Sequence, residues 1–192
     1  MSTSRKFMKG FSLIELIVAM AVLAILMVAA IPAIGEMIAN SRVRSVSESL
    51  VSGMQFARAE AVRRNERIRF SLDSSAGNWT VMRSATNTCQ FGTAVSDVLQ
   101  SRATTSSSTS IVVTTYSDVA ATTTTTAQIY IYNPGGARAT ECADQFVSLS
   151  IDSSALSAAD SRDLRIVAPR VGRARLCDPH VSAGDTRACP TS

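Results

Sequence analysis

The sequence predicts an α+β protein: one long N-terminal helix packed on antiparallel β-sheets. Three observations carry this reading. A 24-residue apolar run, Phe11 to Ile34, follows a short basic leader. Behind it comes a stripe of apolar residues at three- and four-residue steps, the helical period. Beyond residue 65 the period falls to two, with Gly and Pro turns between short runs. Helix first and strands afterwards is the α+β order. The length of 192 residues allows one domain plus an anchoring segment, not two independent cores.

The run FSLIELIVAMAVLAILMVAAIPAI holds Glu15 as its only ionisable side chain. As a helix it would reach roughly 36 Å, enough to cross a hydrocarbon core of about 30 Å. A secretory signal has a shorter apolar core and a small-x-small cleavage site. A plain membrane anchor explains the length and the positive charges of Arg5, Lys6 and Lys9. It does not explain Glu15, since an acid inside a bilayer costs about 3 kcal/mol. An ionisable group at that depth is a functional site by default. Pro32 removes a helical hydrogen bond to Val28 and should bend or locally melt the helix, with Gly35 adding freedom.

From residue 36 the helix turns amphipathic. Val43, Val46, Leu50, Met54, Ala57 and Ala61 fall on one face, while Arg42, Arg44, Arg58, Glu60, Arg63 and Arg64 occupy others. One helix is therefore expected from about Phe11 to Asn65, divided into a hydrophobic part, 11–35, and an amphipathic part, 36–65. In the head, 66–192, strands are expected at 68–72, Trp79–Met82, Ile111–Thr115, Ile129–Tyr132, Phe146–Ile151, Leu164–Ala168 and Val171–Leu176. The Ser/Thr-rich runs Thr104–Ser110 and Thr122–Thr126 read as exposed loop or weak edge strand.

Charge excludes less than it suggests. The formal +4 depends on three basic residues before Phe11; the remainder carries 16 basic and 15 acidic side chains. Net charge thus argues for no partner. Both lysines lie in the leader, so every later cation is Arg, the better residue for forked contacts to phosphate or carboxylate; a GC-rich genome gives the same bias. Four cysteines without a Cys-x-x-Cys pair, and a single histidine, His180, fit disulfides better than zinc. Of three pairings, Cys177–Cys189, closing a short C-terminal loop, together with Cys89–Cys142 is favoured. An enzyme finds little support: there is no phosphate-binding loop or metal motif, and His180 sits in a terminal loop as a surface residue. No cofactor is implied.

The segment Lys9-Gly10-Phe11-Ser12-Leu13-Ile14-Glu15-Leu16 resembles the class III signal of type IV prepilins and type II secretion pseudopilins. The resemblance implies that a prepilin peptidase cuts after Gly10 and methylates the new terminal amine on Phe11. It implies that Glu15 pairs with the terminal amine of a neighbouring subunit; two charges desolvated together cost far less than one. Inner-membrane anchoring, a periplasmic head, and partnership with other pilins and the assembly platform follow from it. Ala57-Arg58-Ala59-Glu60-Ala61-Val62-Arg63-Arg64-Asn65, Trp79, a Pro-Gly turn near 134 and Gly172-Arg173-Ala174-Arg175 are similar to the FimT/GspH group. These are minor type IV pilins and minor pseudopilins with a pilin-like fold of one helix and two sheets.

Within that group the segment from Arg165 to Cys177 is the informative one, with four arginines and no acid. The Gly-Arg-x-Arg of DNA-binding FimT proteins matches Gly172, Arg173 and Arg175, which implies contact with double-stranded DNA, flanked by Arg170 and Arg165. In an extended strand Arg173 and Arg175 would project to one side, about 6.5–7 Å apart, near the spacing of successive phosphates. The competing structural reading is an edge strand whose arginines pair with Asp163 or Asp178. Two functions stay open: a minor pilin acting in pilus biogenesis and DNA uptake during natural transformation, or a minor pseudopilin at the tip of a secretion pseudopilus.

Overall fold

The computed structural model describes residues 11–72, 77–84, 86–92, 95–103 and 110–190, excluding the side chains of 28–32 and 95. The expected leader with its cleavage site at Gly10, and most of the Thr104–Ser110 run, lie outside these residues. The chain divides into two compact units, Met1–Met37 and Ile38–Ser192.

Helix α1, Leu13–Arg64, supplies the described structure of the first unit and enters the second. The helix runs unbroken through Pro32, where a bend or local melting was expected; the helical turn is kept, so there is no melting. Between Leu13 and Met27 the apolar side chains are exposed all round, Leu13 at 75% and Ile25 at 71% among them. Such a surface is stable only against lipid or other apolar protein. Among the described residues no helix is long and apolar enough to cross a membrane.

In the second unit the amphipathic stripe does what its period requires. Val43, Leu50, Met54, Ala57 and Ala61 are fully buried, and Val46 nearly so. The helix ends at Asn65, whose φ of 56° is left-handed, with the Glu66 amide donating to the Ala61 carbonyl at 3.2 Å. This is a Schellman-type stop, one of the few turns in which Asn substitutes for Gly. Glu60 departs from expectation. It is buried at the edge of the packed face, where Arg63 and Arg64 both donate to it at 2.6 Å. The Arg63 hydrogen bond, more than any other influence, holds its carboxyl below the usual range.

Among the described residues eight strands form two antiparallel four-stranded sheets. The first has β1 (Ile68–Leu72), β2 (Trp79–Arg83), β3 (Val98–Arg102) and β5 (Ile129–Tyr132) in the order β3-β2-β1-β5. The second has β4 (Ile111–Tyr116), β6 (Ser148–Ser153), β7 (Leu164–Val167) and β8 (Arg175–Cys177) in the order β4-β6-β7-β8. Strand β3 was not expected, and β8 is shorter than the expected Val171–Leu176. The Thr122–Thr126 run is held against β4: Thr125 donates to the Thr115 carbonyl at 3.0 Å, and Asp118 accepts from the amides of Thr122 and Thr123 at 2.9 Å each.

One core joins the helix stripe to both sheets, through Phe70, Trp79 and Tyr130 on one side and Leu149, Ile151 and Ile166 on the other. Disulfide Cys89–Cys142 ties the loop after β2 to the segment before β6, and Cys177–Cys189 closes the C-terminal loop. A loop of that length contributes about 3 kcal/mol if unstrained.

Gly53 marks where helix and sheet come closest. A Cβ there would stand 2.9 Å from Trp79 Cε2 and 3.0 Å from Phe70 Cε2, both rings buried. Trp79 is also fixed through Nε1, which donates to Ser49 Oγ at 3.0 Å. Alanine would gain about 1 kcal/mol of helix propensity but incur overpacking of about 1–3 kcal/mol. Gly53→Ala is therefore expected to lower the thermal unfolding midpoint, read by circular dichroism; a raised midpoint would refute this packing.

Candidate nucleic-acid interface

The arginine-rich segment is the connection between β7 and β8. The register pairs Val167 with Arg175, so residues 168–174 lie outside the ladder. Gly172, at φ +111°, adopts a conformation that side-chain-bearing residues rarely take, which explains why the expected strand does not form before Arg175. Arg173 thus sits in the turn and Arg175 in the strand, and the regular strand spacing expected of the pair does not apply.

The connection is held firmly. Ala168 and Ala174, at its two ends, are 1% and 4% exposed and belong to the core. The Ala168 amide donates to the Val147 carbonyl at 2.9 Å, and the Arg138 amide to the Arg170 carbonyl at 2.9 Å. The buried Tyr130 hydroxyl donates to the Pro169 carbonyl at 2.9 Å. Burial pushes that phenol up to about 12, so it remains a donor at neutral pH. Between the anchors Arg170, Val171 and Arg173 are exposed, as is Arg175 beyond.

The two acids proposed as partners for these arginines are engaged elsewhere. Asp163 pairs with His180 Nε2, and Asp178 Oδ1 accepts the His180 amide at 2.9 Å. Among the described residues the side chains of Arg170, Arg173 and Arg175 have no ion-pair partner. His180, read from sequence as a surface residue, meets both carboxylates, Asp163 through its ring and Asp178 through its backbone amide. Only folding could reveal this, because the disulfide loop carries His180 back to the start of β7.

Arg165 differs from the other three. It is half-buried, its Nη1 donates to the Ala120 carbonyl at 3.0 Å, and its Nε is buried without a partner. It borders a cavity of about 210 Å³ under the terminal loop, with Pro179, Val181 and Cys189. The guanidinium expected to flank the interface is thus committed inside it. At the other end of the chain Phe11 is 86% exposed and Glu15 is exposed in the first turn of α1.

A methylation-type N-terminal segment ahead of a helix that packs on two antiparallel sheets defines a pilin-like protein. The family model described as Type II transport protein GspH matches residues 46–172, and that described as Prokaryotic N-terminal methylation motif matches residues 5–31. The chain belongs to the GspH family, whose members are structural minor pilins and pseudopilins of type IV pili or type II secretion and assemble with other pilins. It is similar to the type IV minor pilin FimU of Pseudomonas aeruginosa (strain PAO1), at 15% identity over 71% of this chain and 88% of that one, with a TM-score of 0.45. A search of curated proteins returned no significant match.

The His180–Asp163 pair has a pH signature. The hydrogen bond that His180 donates to Asp163, then the charge of that carboxylate, raises the imidazole above its ordinary value, with Asp178 and Asp152 adding to the effect. A folded pKa above the unfolded value of about 6.5 stabilises the fold fully below that value; the contribution fades as pH rises through the folded pKa. The C-terminal loop should therefore be better protected from amide exchange at pH 6 than at pH 9, after correction for intrinsic rates. His180→Ala should remove the difference; an unchanged difference would place the sensitivity elsewhere.

Proposed function

We propose that this chain is a minor type IV pilin that takes part in pilus biogenesis and binds double-stranded DNA through the β7–β8 connection during natural transformation. The observation carrying this reading is a firmly bonded connection that, together with the start of β8, presents Arg170, Arg173 and Arg175 to solvent, while Asp163 and Asp178 are bonded to His180. Unpaired guanidinium groups on a fixed backbone favour phosphate contact, which positions a duplex and reads little sequence. The second reading, a minor pseudopilin in protein export, is favoured by the description of the matching family model.

The two readings separate by experiment. With the full chain in neutral detergent, Arg173→Gln, Arg175→Gln should abolish binding to a labelled duplex and abolish transformation, with folding and pilus assembly intact. Arg170, Arg173 and Arg175 alone would give a log–log salt slope of about −3. A pseudopilin would bind no DNA, and its deletion would block export of folded proteins.

Maturation is the same under both readings: a prepilin peptidase cuts between Gly10 and Phe11, leaving N-methylated Phe11 at the terminus and Glu15 to pair with a neighbour's amine. Intact-mass analysis of protein from membranes or sheared filaments should find that species. A chain that still carries Lys9, or one cut near residue 30, would end the prepilin reading.

A further inference from the structure

Beside the loop, Arg173 helps line an open groove of about 760 Å³ whose other wall is the C-terminal end of α1, with Arg58, Val62 and Arg63, and whose rim includes Gly135. We propose that this groove is a second phosphate-binding subsite, in which Arg58 and Arg63 extend the DNA contact from the loop onto the helix. The proposal rests on the DNA-binding reading above and adds residues to it.

The turn at 133–137 builds the groove. Gly136 has φ +72°, and a Cβ there would stand 2.8 Å from Val62 Cγ2 and 3.3 Å from Arg58 Nε, so glycine lets the turn lie against the helix. Arg58 Nε donates to the Gly136 carbonyl at 2.8 Å, which fixes the side chain. Its two terminal nitrogens have no partner among the described residues and keep four N–H donors available. Arg63 is mostly exposed and held by Glu60 through Nε and Nη2, at 2.9 and 2.6 Å, leaving Nη1 without a described partner. Preorganised guanidinium groups lose less entropy when they meet an anion.

The charge balance is favourable. Arg58, Arg63 and Arg173 line the groove with no acid among its described lining residues. Glu60, which holds Arg63, is buried and also engaged by Arg64. Like charges around a concave surface raise the local potential for an anion. Ala59 and Val62 give the groove an apolar side against which a sugar can lie. The loop and the helix are already coupled through the same turn, since the Arg138 amide holds the Arg170 carbonyl and the Gly136 carbonyl holds Arg58. A duplex resting on the loop would thus continue across the end of α1.

The test is a salt titration of binding to a fluorescein-labelled duplex, with the full chain in neutral detergent micelles. Five arginines predict a wild-type slope of about −4 to −5, against about −3 for the loop alone. Arg63→Gln leaves Arg64 on Glu60 and should make the slope shallower by about 1, with weaker binding to every sequence alike. Adding Arg58→Gln should remove about 1 more. Arg58→Lys, which keeps the charge, should retain the wild-type slope, and circular dichroism should show all these variants folded.

If the Arg58→Gln, Arg63→Gln protein keeps the wild-type slope while Arg173→Gln, Arg175→Gln loses binding, the groove proposal fails and the loop reading stands. If the wild type binds no DNA, the functional reading fails and the groove proposal falls with it. If the groove variant keeps the wild-type slope but no longer enters filaments, the groove is a subunit contact and the proposal is overturned.

Discussion

The contact on which the rest of the head depends is the apolar stripe of α1. Val43, Leu50, Met54, Ala57 and Ala61 form one wall against which residues of both sheets are buried. Neither sheet has its core without that wall, because the inward residues of β1, β2 and β5 and those of β6 and β7 belong to a single cluster with the helix. The stripe shrinks from Val, Leu and Met to Ala toward the end of the helix, where Arg58 and Val62 lie close against Gly136 of the 133–137 turn. Close packing there brings helix arginines and loop arginines to one side of the molecule.

The polar arrangement obeys the same economy. Two buried polar groups in this head have specific duties: Tyr130 holds the Pro169 carbonyl, and Glu60 holds two arginines. Gln145 accepts the Ile131 amide and donates to the carbonyls of Ala139 and Cys142. The exposed arginines of the β7–β8 connection are the contrast. The connection's backbone is bonded at Ala168, Pro169 and Arg170, while the arginine side chains have no ion-pair partner among the described residues, an arrangement suited to meeting an external anion without refolding.

Much of the fold was legible because its signals are local. The helical stripe, the alternation of Ile68, Phe70 and Leu72, and the Asn-Pro-Gly-Gly turn each act over a few residues. Strand β3 was not legible: Val-Leu-Gln-Ser-Arg lacks alternation, lies at a sheet edge, and pairs with β2 across a register shift between Val81 and Met82. The expected extent of β8, Val171–Leu176, ran through Gly172, whose positive φ ends the extended run. In the candidate site Arg173 and Arg175 could be named from their motif. The burial of Arg165, the capture of Asp163 by His180 and the nearness of Arg58 and Arg63 to Arg173 could not, since each joins segments far apart in sequence.

The two buried alanines that bound the β7–β8 connection also separate architecture from surface chemistry. Ala168 and Ala174 sit where a larger side chain would intrude on the core, while Arg170, Val171 and Arg173 between them face water. Substitutions at those three exposed positions would leave the scaffold's energy nearly unchanged. The head can therefore exchange one set of loop side chains for another at little thermodynamic risk. Relatives sharing this framework are free to diverge in what they touch while remaining alike in how they fold.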